Sequence, residues 1–271
     1  MCLYKAGEAK IIYSIHHYVL RRPTFQKMSE VTVLGVGTLF LLFFSFSNSS
    51  SIVFQKKCCL QDSACLTEQA RSILKTFMEG DAELGIEKMD KMSIEPVEIN
   101  KNGLIFEDKN LEVEGLQNSV ISNVSVNLNF KAIVISSLVK SVVITGDYTA
   151  SGSLFGSPVF GDGKSLKKFN GVKMDIVFLY DIEKNKDGND VVNLKSHVYS
   201  VSLIGGVYQC YENAFNNDKE KSDQLHAMIN DNWSIIFYTY GDLYFSKIIA
   251  KIFSGLKIFL ASQNLKDMVN Y

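Results

Sequence analysis

The chain has 271 residues, 46% of them hydrophobic and 21% charged, an ordinary balance for a globular protein of one or two domains and enough to bury a large core. A formal net charge of -1 and a pI near 6.4 argue against a nucleic-acid partner, because polyanion binding needs Lys and Arg in excess on the binding face.

The N-terminal segment reads as a targeting leader. Val31 to Phe46 carries no charge and follows Arg21, Arg22 and Lys27, the basic-then-apolar order of a secretory signal. Residues 1–47 are expected to comprise an upstream extension over 1–27 and a signal peptide over 28–47, starting at Met28 and cleaved after Ser47. The apolar run approaches the roughly 17 to 25 residues that span a bilayer. Gly35, Gly37 and the small-residue exit suit a cleaved signal better than an anchor. Residues 48–271 then form a single mature domain, secreted to the extracellular space, with no stable membrane insertion.

Cysteine usage fits an oxidising compartment. Cys2 lies upstream of the leader, which leaves Cys58, Cys59, Cys65 and Cys210 in the mature chain. A bridge between the neighbours Cys58 and Cys59 is disfavoured geometrically. Cys65 is therefore expected to pair with one of these two, with Cys210 available to the other. No metal is expected, because a CC pair with one nearby cysteine and no clustered histidine is poor ligand spacing.

Along the mature chain, Leu66, Ala70, Ile73, Leu74, Phe77 and Met78 recur at helical spacing, and Gly80 ends that helix. The period then changes to that of a strand. Val124, Val126, Leu128 and Phe130 alternate with Ser125, Asn127, Asn129 and Lys131, giving one apolar and one wet face. Further strands are predicted over about residues 133–148, 172–182 and 191–203, separated by turns at Gly161-Asp162-Gly163 and Asp187-Gly188. From Asp218 the helical period returns. Ile236, Tyr240, Leu243, Tyr244, Ile248, Ile252, Leu256 and Phe259 form a broad apolar stripe, with Gly241 and Gly255 as weak points. The fold class is α+β.

Several segments together resemble the insect takeout and haemolymph juvenile-hormone-binding protein family. They are Cys58 with Cys65, DSACL at 62–66, ELGIEKMDKMSIEPVEI at 83–99 and ENAFNNDK at 212–219, with weaker support from GDYTASGSLF at 146–155, GDGK at 161–164 and NDNW at 230–233. The resemblance implies a strongly curved antiparallel sheet wrapped around a long C-terminal helix and enclosing a hydrophobic tunnel. It also implies a Cys58–Cys65 bridge closing a small N-terminal loop, with Cys59 and Cys210 an addition to the family pattern. Asn217, Gly241 and a C-terminus without a proline-bearing tail depart from that pattern and bear on one tunnel mouth.

No catalytic constellation accompanies these features. After the leader only His197 and His226 remain, with no HExxH pair and no GxSxG elbow, so the chain is not expected to be an enzyme or to need a cofactor. GSPVFGDGKS at 156–165 lacks the glycine a phosphate loop needs where Pro158 stands, and EKNKDG at 183–188 has Leu194 where a calcium loop needs glutamate. Of three sequons, Asn123 is the best glycosylation candidate, since Asn48 sits at the cleavage region and Asn232 precedes Trp233 on a helix.

The expected function is that of a monomeric carrier of a lipophilic small molecule: juvenile hormone, a fatty acid or an isoprenoid. Burial of apolar surface supplies about 25 cal/mol per Å² without any catalytic group. Expected tunnel residues are Val126, Leu128 and Phe130 on a strand, and Phe237, Tyr240, Tyr244, Ile248 and Ile252 on the helix. For any single one of them plain core packing competes with ligand contact. The tyrosines are favoured for specificity, because a buried hydroxyl seeks a polar partner. The alternative is a secreted structural or interaction subunit with a filled core, linked through an unpaired cysteine.

Overall fold

The computed structural model describes Phe54 and residues 56–270; the expected leader, residues 1–47, lies outside the described residues. The chain opens with a two-residue strand β1 (Cys58–Cys59) and helix α1 (Ser63–Glu79). Asp62 caps α1, its side-chain oxygen accepting the Cys65 N–H at 3.0 Å, and Gly80 ends it at φ 75°. Strands β2 (Met92–Ile94), β3 (Val97–Lys101), β4 (Leu104–Glu114), β5 (Ser119–Asn127), β6 (Ala132–Leu154), β7 (Ser157–Lys184), β8 (Asp190–Leu203) and β9 (Val207–Tyr211) follow. The chain then turns helical through α2 (Lys219–Asp231), α3 (Trp233–Tyr240), α4 (Asp242–Ser262) and α5 (Leu265–Met268). It closes with β10 (Val269–Asn270), parallel to β1.

The long β6–β7 hairpin is the spine of an open, curved antiparallel sheet ordered β2-β4-β6-β7-β8. Shorter strands succeed one another along its two sides. On the β6 side, β5 pairs with residues 132–139 and β4 with residues 143–152. On the β7 side, β8 pairs with residues 172–184 and β9 with residues 165–169. The sheet therefore has two halves, one flanked by β5 and β8 and the other by β4 and β9. Helix α4 packs mainly on the former: Phe245, Ile248 and Ile249 are fully buried in clusters with Val139 and Phe178, and Phe245 also meets Phe169 of the other half.

Helix α1 is stitched to β5 by polar contacts as well as apolar ones. Thr67 accepts the Val124 N–H at 2.8 Å, and Ser63 donates to the Val124 carbonyl at 2.7 Å. Arg71 Nε donates to the Ile121 carbonyl at 2.7 Å. These fall at the β5 bulge between Ile121 and Asn123, where pairing with β6 shifts register and backbone groups turn outward.

Two expectations need correction. The long C-terminal helix is three helices, broken at Asn232 and Gly241. Asn232 leaves the helical region at φ -102° and ψ 22°, and its side-chain amide donates to the Met228 carbonyl at 2.8 Å beside its own backbone N–H at 3.1 Å. Gly241 lies so close to the preceding turn that a Cβ would sit 2.6 Å from the Phe237 carbonyl oxygen. Leu243, expected on the apolar stripe, is exposed. Nor is Gly161-Asp162-Gly163 a turn. It lies within β7, and the hairpin turns instead at Phe155-Gly156. A Cβ on Gly161 would be 2.8 Å from the Tyr148 hydroxyl, and one on Gly163 would be 2.7 Å from the Glu212 carbonyl oxygen. The two glycines let the segment after β9 lie across β7.

Cys58 is bridged to Cys65, closing a loop of seven residues' separation ahead of α1. Cys59 is exposed and free, and Cys210 is buried on β9, so the two are not joined. Chain entropy gives so short a loop about 2.5 kcal/mol. Replacing Cys58 and Cys65 together by serine is expected to lower unfolding stability by about that amount, read from the urea midpoint of the purified protein.

Candidate functional site

The half of the sheet flanked by β4 and β9 is covered by α2 and α3 rather than by α4, and an apolar cavity of about 90 Å³ lies between them. That is room for several waters or a short stretch of hydrocarbon. Its floor is Leu104 and Phe106 of β4, Tyr148 and Ala150 of β6 and Val159 of β7; its roof is Leu225 and Ile229 of α2 and Phe237 and Tyr240 of α3. Phe106, Tyr148 and Tyr211 pack as an aromatic wall, with the Tyr148 and Tyr211 rings 4.9 Å apart and edge-on. The Tyr148 hydroxyl donates to the Glu212 carbonyl at 2.8 Å, and that of Tyr211 to Gln209 Oε1 at 3.0 Å. Burial lifts the Tyr148 pKa to about 12 and raises that of Tyr211 further, so both stay neutral donors.

At the cavity wall next to α4 lies a buried ion pair. Lys167 Nζ is 2.5 Å from Asp108 Oδ2, with side-chain exposures of 3% and 0%. Asp108 also accepts from the Ser165 hydroxyl at 2.7 Å and from that of Tyr244 at 3.0 Å. The ammonium sits 5.1 to 5.8 Å from the ring centroids of Phe106, Tyr211 and Tyr244. Burial pulls the lysine pKa down while the charge of Asp108 opposes that pull. Burial, with the adjacent Asp108 charge, pushes the Tyr244 hydroxyl well above its usual value.

Helix α2 also seals the free edge of β9. Asn230 accepts the Gln209 N–H at 2.7 Å and donates to the Gln209 carbonyl at 3.0 Å, while His226 Nε2 accepts the Tyr211 N–H at 3.0 Å. Side chains spaced i and i+4 thus stand in for a neighbouring strand. Burial holds the His226 pKa below its usual value, and the Tyr211 N–H needs the lone pair that protonation would occupy. The folded state therefore binds fewer protons than the unfolded chain just below pH about 6.5. Stability present above that pH is expected to fall as pH drops through the lowered value. Melting temperatures from pH 7.5 to 5 should show the loss in the native chain and a smaller one in His226→Gln.

The structure sorts the expected tunnel residues into three groups. Phe237, Tyr240 and Tyr244 line the cavity. Val126 is half-buried against the cluster under α1, while Ile248 is fully buried and Ile252 packs beside it in the main core. Leu128 and Phe130 are corrected outright: they are 47% and 76% exposed on the turn at residues 128–131. Strand β5 stops at Asn127, whose side-chain oxygen accepts the Asn129 and Phe130 N–H groups at 3.1 Å each, and Lys131 follows at φ 47°. Asn123 is half-buried and accepts the Ser63 hydroxyl at 2.8 Å, so its amide is turned against the start of α1. The pair Asp108–Lys167 escaped the sequence reading, although Lys167 falls in the inward phase of β7 shared by Val159, Ser165 and Phe169.

These features can be set beside known proteins. The family model described as haemolymph juvenile hormone binding protein matches residues 38–268. The chain belongs to that family. Its fold matches the crystal structure of Takeout 1 from Epiphyas postvittana with a TM-score of 0.76 and 31% identity, over 79% of this chain and 99% of that one. It is also similar to the circadian clock-controlled protein daywake of Drosophila melanogaster, 20% identical over 195 residues, or 67% of this chain and 74% of that one. The daywake protein of Drosophila yakuba is 22% identical over the same length. The curved sheet with its C-terminal helices is therefore the family's fold.

Proposed function

We propose that the protein is a secreted carrier of a lipophilic small molecule, with the juvenile hormone, fatty acid and isoprenoid classes all compatible with an apolar site. The observation that carries this reading is the apolar cavity between α2–α3 and the β4–β9 half of the sheet, in a chain of a juvenile-hormone-binding family. Apolar walls recover about 25 cal/mol per Å² of ligand surface removed from water, so retention needs no reactive group. Among the described residues no helix is long and apolar enough to cross a membrane.

A molecule longer than the cavity has to displace part of its roof. Helix α3 is the element suited to yield, since it spans only Trp233–Tyr240 between the breaks at Asn232 and Gly241. The test is organic extraction of protein secreted by insect cells, with mass spectrometry of the extract, followed by titration with a fluorescent fatty acid or terpenoid probe. A saturable one-to-one complex is expected. An extract without lipid together with no probe binding would remove the reading. The exposed thiol of Cys59 favours one rival, a disulfide-linked subunit, for which non-reducing electrophoresis would show a covalent dimer instead of a monomer.

A further inference from the structure

A carrier with a purely apolar site has no use for a buried ion pair in its wall. Removing two charges from water costs several kcal/mol per ion, and their mutual attraction repays this only with good geometry and further hydrogen bonds. Asp108 is satisfied in this way, by Lys167, Ser165 and Tyr244. Lys167 is not. An ammonium carries three N–H donors, and among the described residues the one oxygen it meets is Asp108 Oδ2; its other neighbours are the faces of Phe106, Tyr211 and Tyr244. Lys167 also lines the cavity, together with the Phe106, Tyr211 and Tyr244 side chains that surround its ammonium.

We propose that Lys167, held by Asp108 and walled by three aromatic rings, is a polar anchor for a neutral oxygen acceptor, so that the cargo is a lipid bearing an ester or ketone carbonyl rather than a free carboxylate. The inference rests on the carrier reading and deepens it. The sign follows from charge. Asp108 already neutralises the ammonium, so a carbonyl adds a hydrogen bond without adding charge, whereas an ionised carboxylate would bury a second negative charge beside Asp108. A hydrocarbon of the same length would make the apolar contacts and leave the donors unused.

The experiment compares methyl laurate, laurate and dodecane as competitors of a fluorescent naphthylamine probe, on the full secreted chain stripped of lipid, at pH 7.5. The wild type is expected to bind the ester about tenfold more tightly than dodecane, the effect of one hydrogen bond to a charged donor, and more tightly than laurate. In the double variant Asp108→Asn/Lys167→Met, which removes both charges together, the ester is expected to lose about that tenfold while dodecane loses far less. Equal binding of ester and dodecane by the wild type, or equal losses for both in the variant, would overturn the anchor. Laurate binding more tightly than the ester would overturn the neutral-acceptor assignment. If neither the probe nor any competitor binds the wild type, the carrier reading itself falls and the anchor with it. Should the double variant not fold, the infrared band of a ¹³C-carbonyl methyl laurate bound to the wild type decides. A band below its position in hydrocarbon solvent supports the anchor; an unshifted band overturns it.

Discussion

Replacing Asp108 by alanine is expected to lower unfolding stability by about 3–5 kcal/mol, because it strands a buried cation. The carboxylate is fully buried, takes three hydrogen bonds from Lys167, Ser165 and Tyr244, and is the charge that opposes the downward pull of burial on the lysine. Without it the folded-state lysine pKa drops further while the unfolded value stays near about 10.4. A base whose folded pKa is depressed contributes stability that is present above the unfolded value and lost as pH falls through the folded one. The deficit of Asp108→Ala should therefore shrink between pH 7 and pH 10, as the stranded ammonium sheds its proton. The double variant Asp108→Asn/Lys167→Met should regain most of the loss, since neutralising a buried pair together leaves no bare charge. The exposed pair Lys164–Asp147 sets the contrast: with side chains 71% and 41% exposed, Asp147→Ala is expected to leave the urea midpoint unchanged. An Asp108→Ala variant as stable as the native chain, or a deficit that grows with pH, would show that Lys167 is not held as a buried cation.

The parts of this protein that could be read from sequence are those in which one periodicity runs unbroken through an element. Helix α1 has its capping Asp62, its terminal Gly80 and an apolar stripe between them, and the Cys58–Cys65 bridge ahead of it is the one the resemblance implied. The β6–β7 hairpin alternates in burial over residues 142–148 and 174–181, which lie within two of the strands read from the sequence. What failed did so where a local side-chain bond overrides the period. Asn127 folds the chain into a turn beneath an alternation that continues to Phe130, and Asn232 interrupts a helical stripe that composition alone would extend. Glycine misled for a different reason. At Gly161 and Gly163 its use is close approach of another segment, a tertiary fact that mimics a turn signal. The buried pair was missed because a lysine on the inward phase of a strand shows its meaning only once Asp108 is known to lie across from it, and that contact joins positions 59 residues apart.

The same distinction decides where a blocking substitution belongs. Ile248, which the helical stripe marks as a tunnel residue, is fully buried in the packed core, so enlarging it to tryptophan is expected to destabilise the fold by about 1–3 kcal/mol without occupying the cavity. Ala150 is the better position. It stands on β6 opposite Phe106 of β4 and lines the cavity with the smallest side chain of its floor, so Ala150→Phe projects a ring into a space of about 90 Å³. The added ring replaces ligand volume with protein, and the site loses capacity while its walls remain apolar. The expected result is a fall of at least about tenfold in affinity for a terpenoid probe, with overpacking costing about 1–3 kcal/mol in a domain that retains its circular dichroism spectrum. Thr149→Val, one residue away on the opposite, exposed face of the same strand, is the control and is expected to bind as the native chain does. If Ala150→Phe folds and binds the probe with native affinity, the ligand does not lie between α3 and the β4–β9 half of the sheet. If Ile248→Trp blocks binding while Ala150→Phe does not, the site lies under α4 instead.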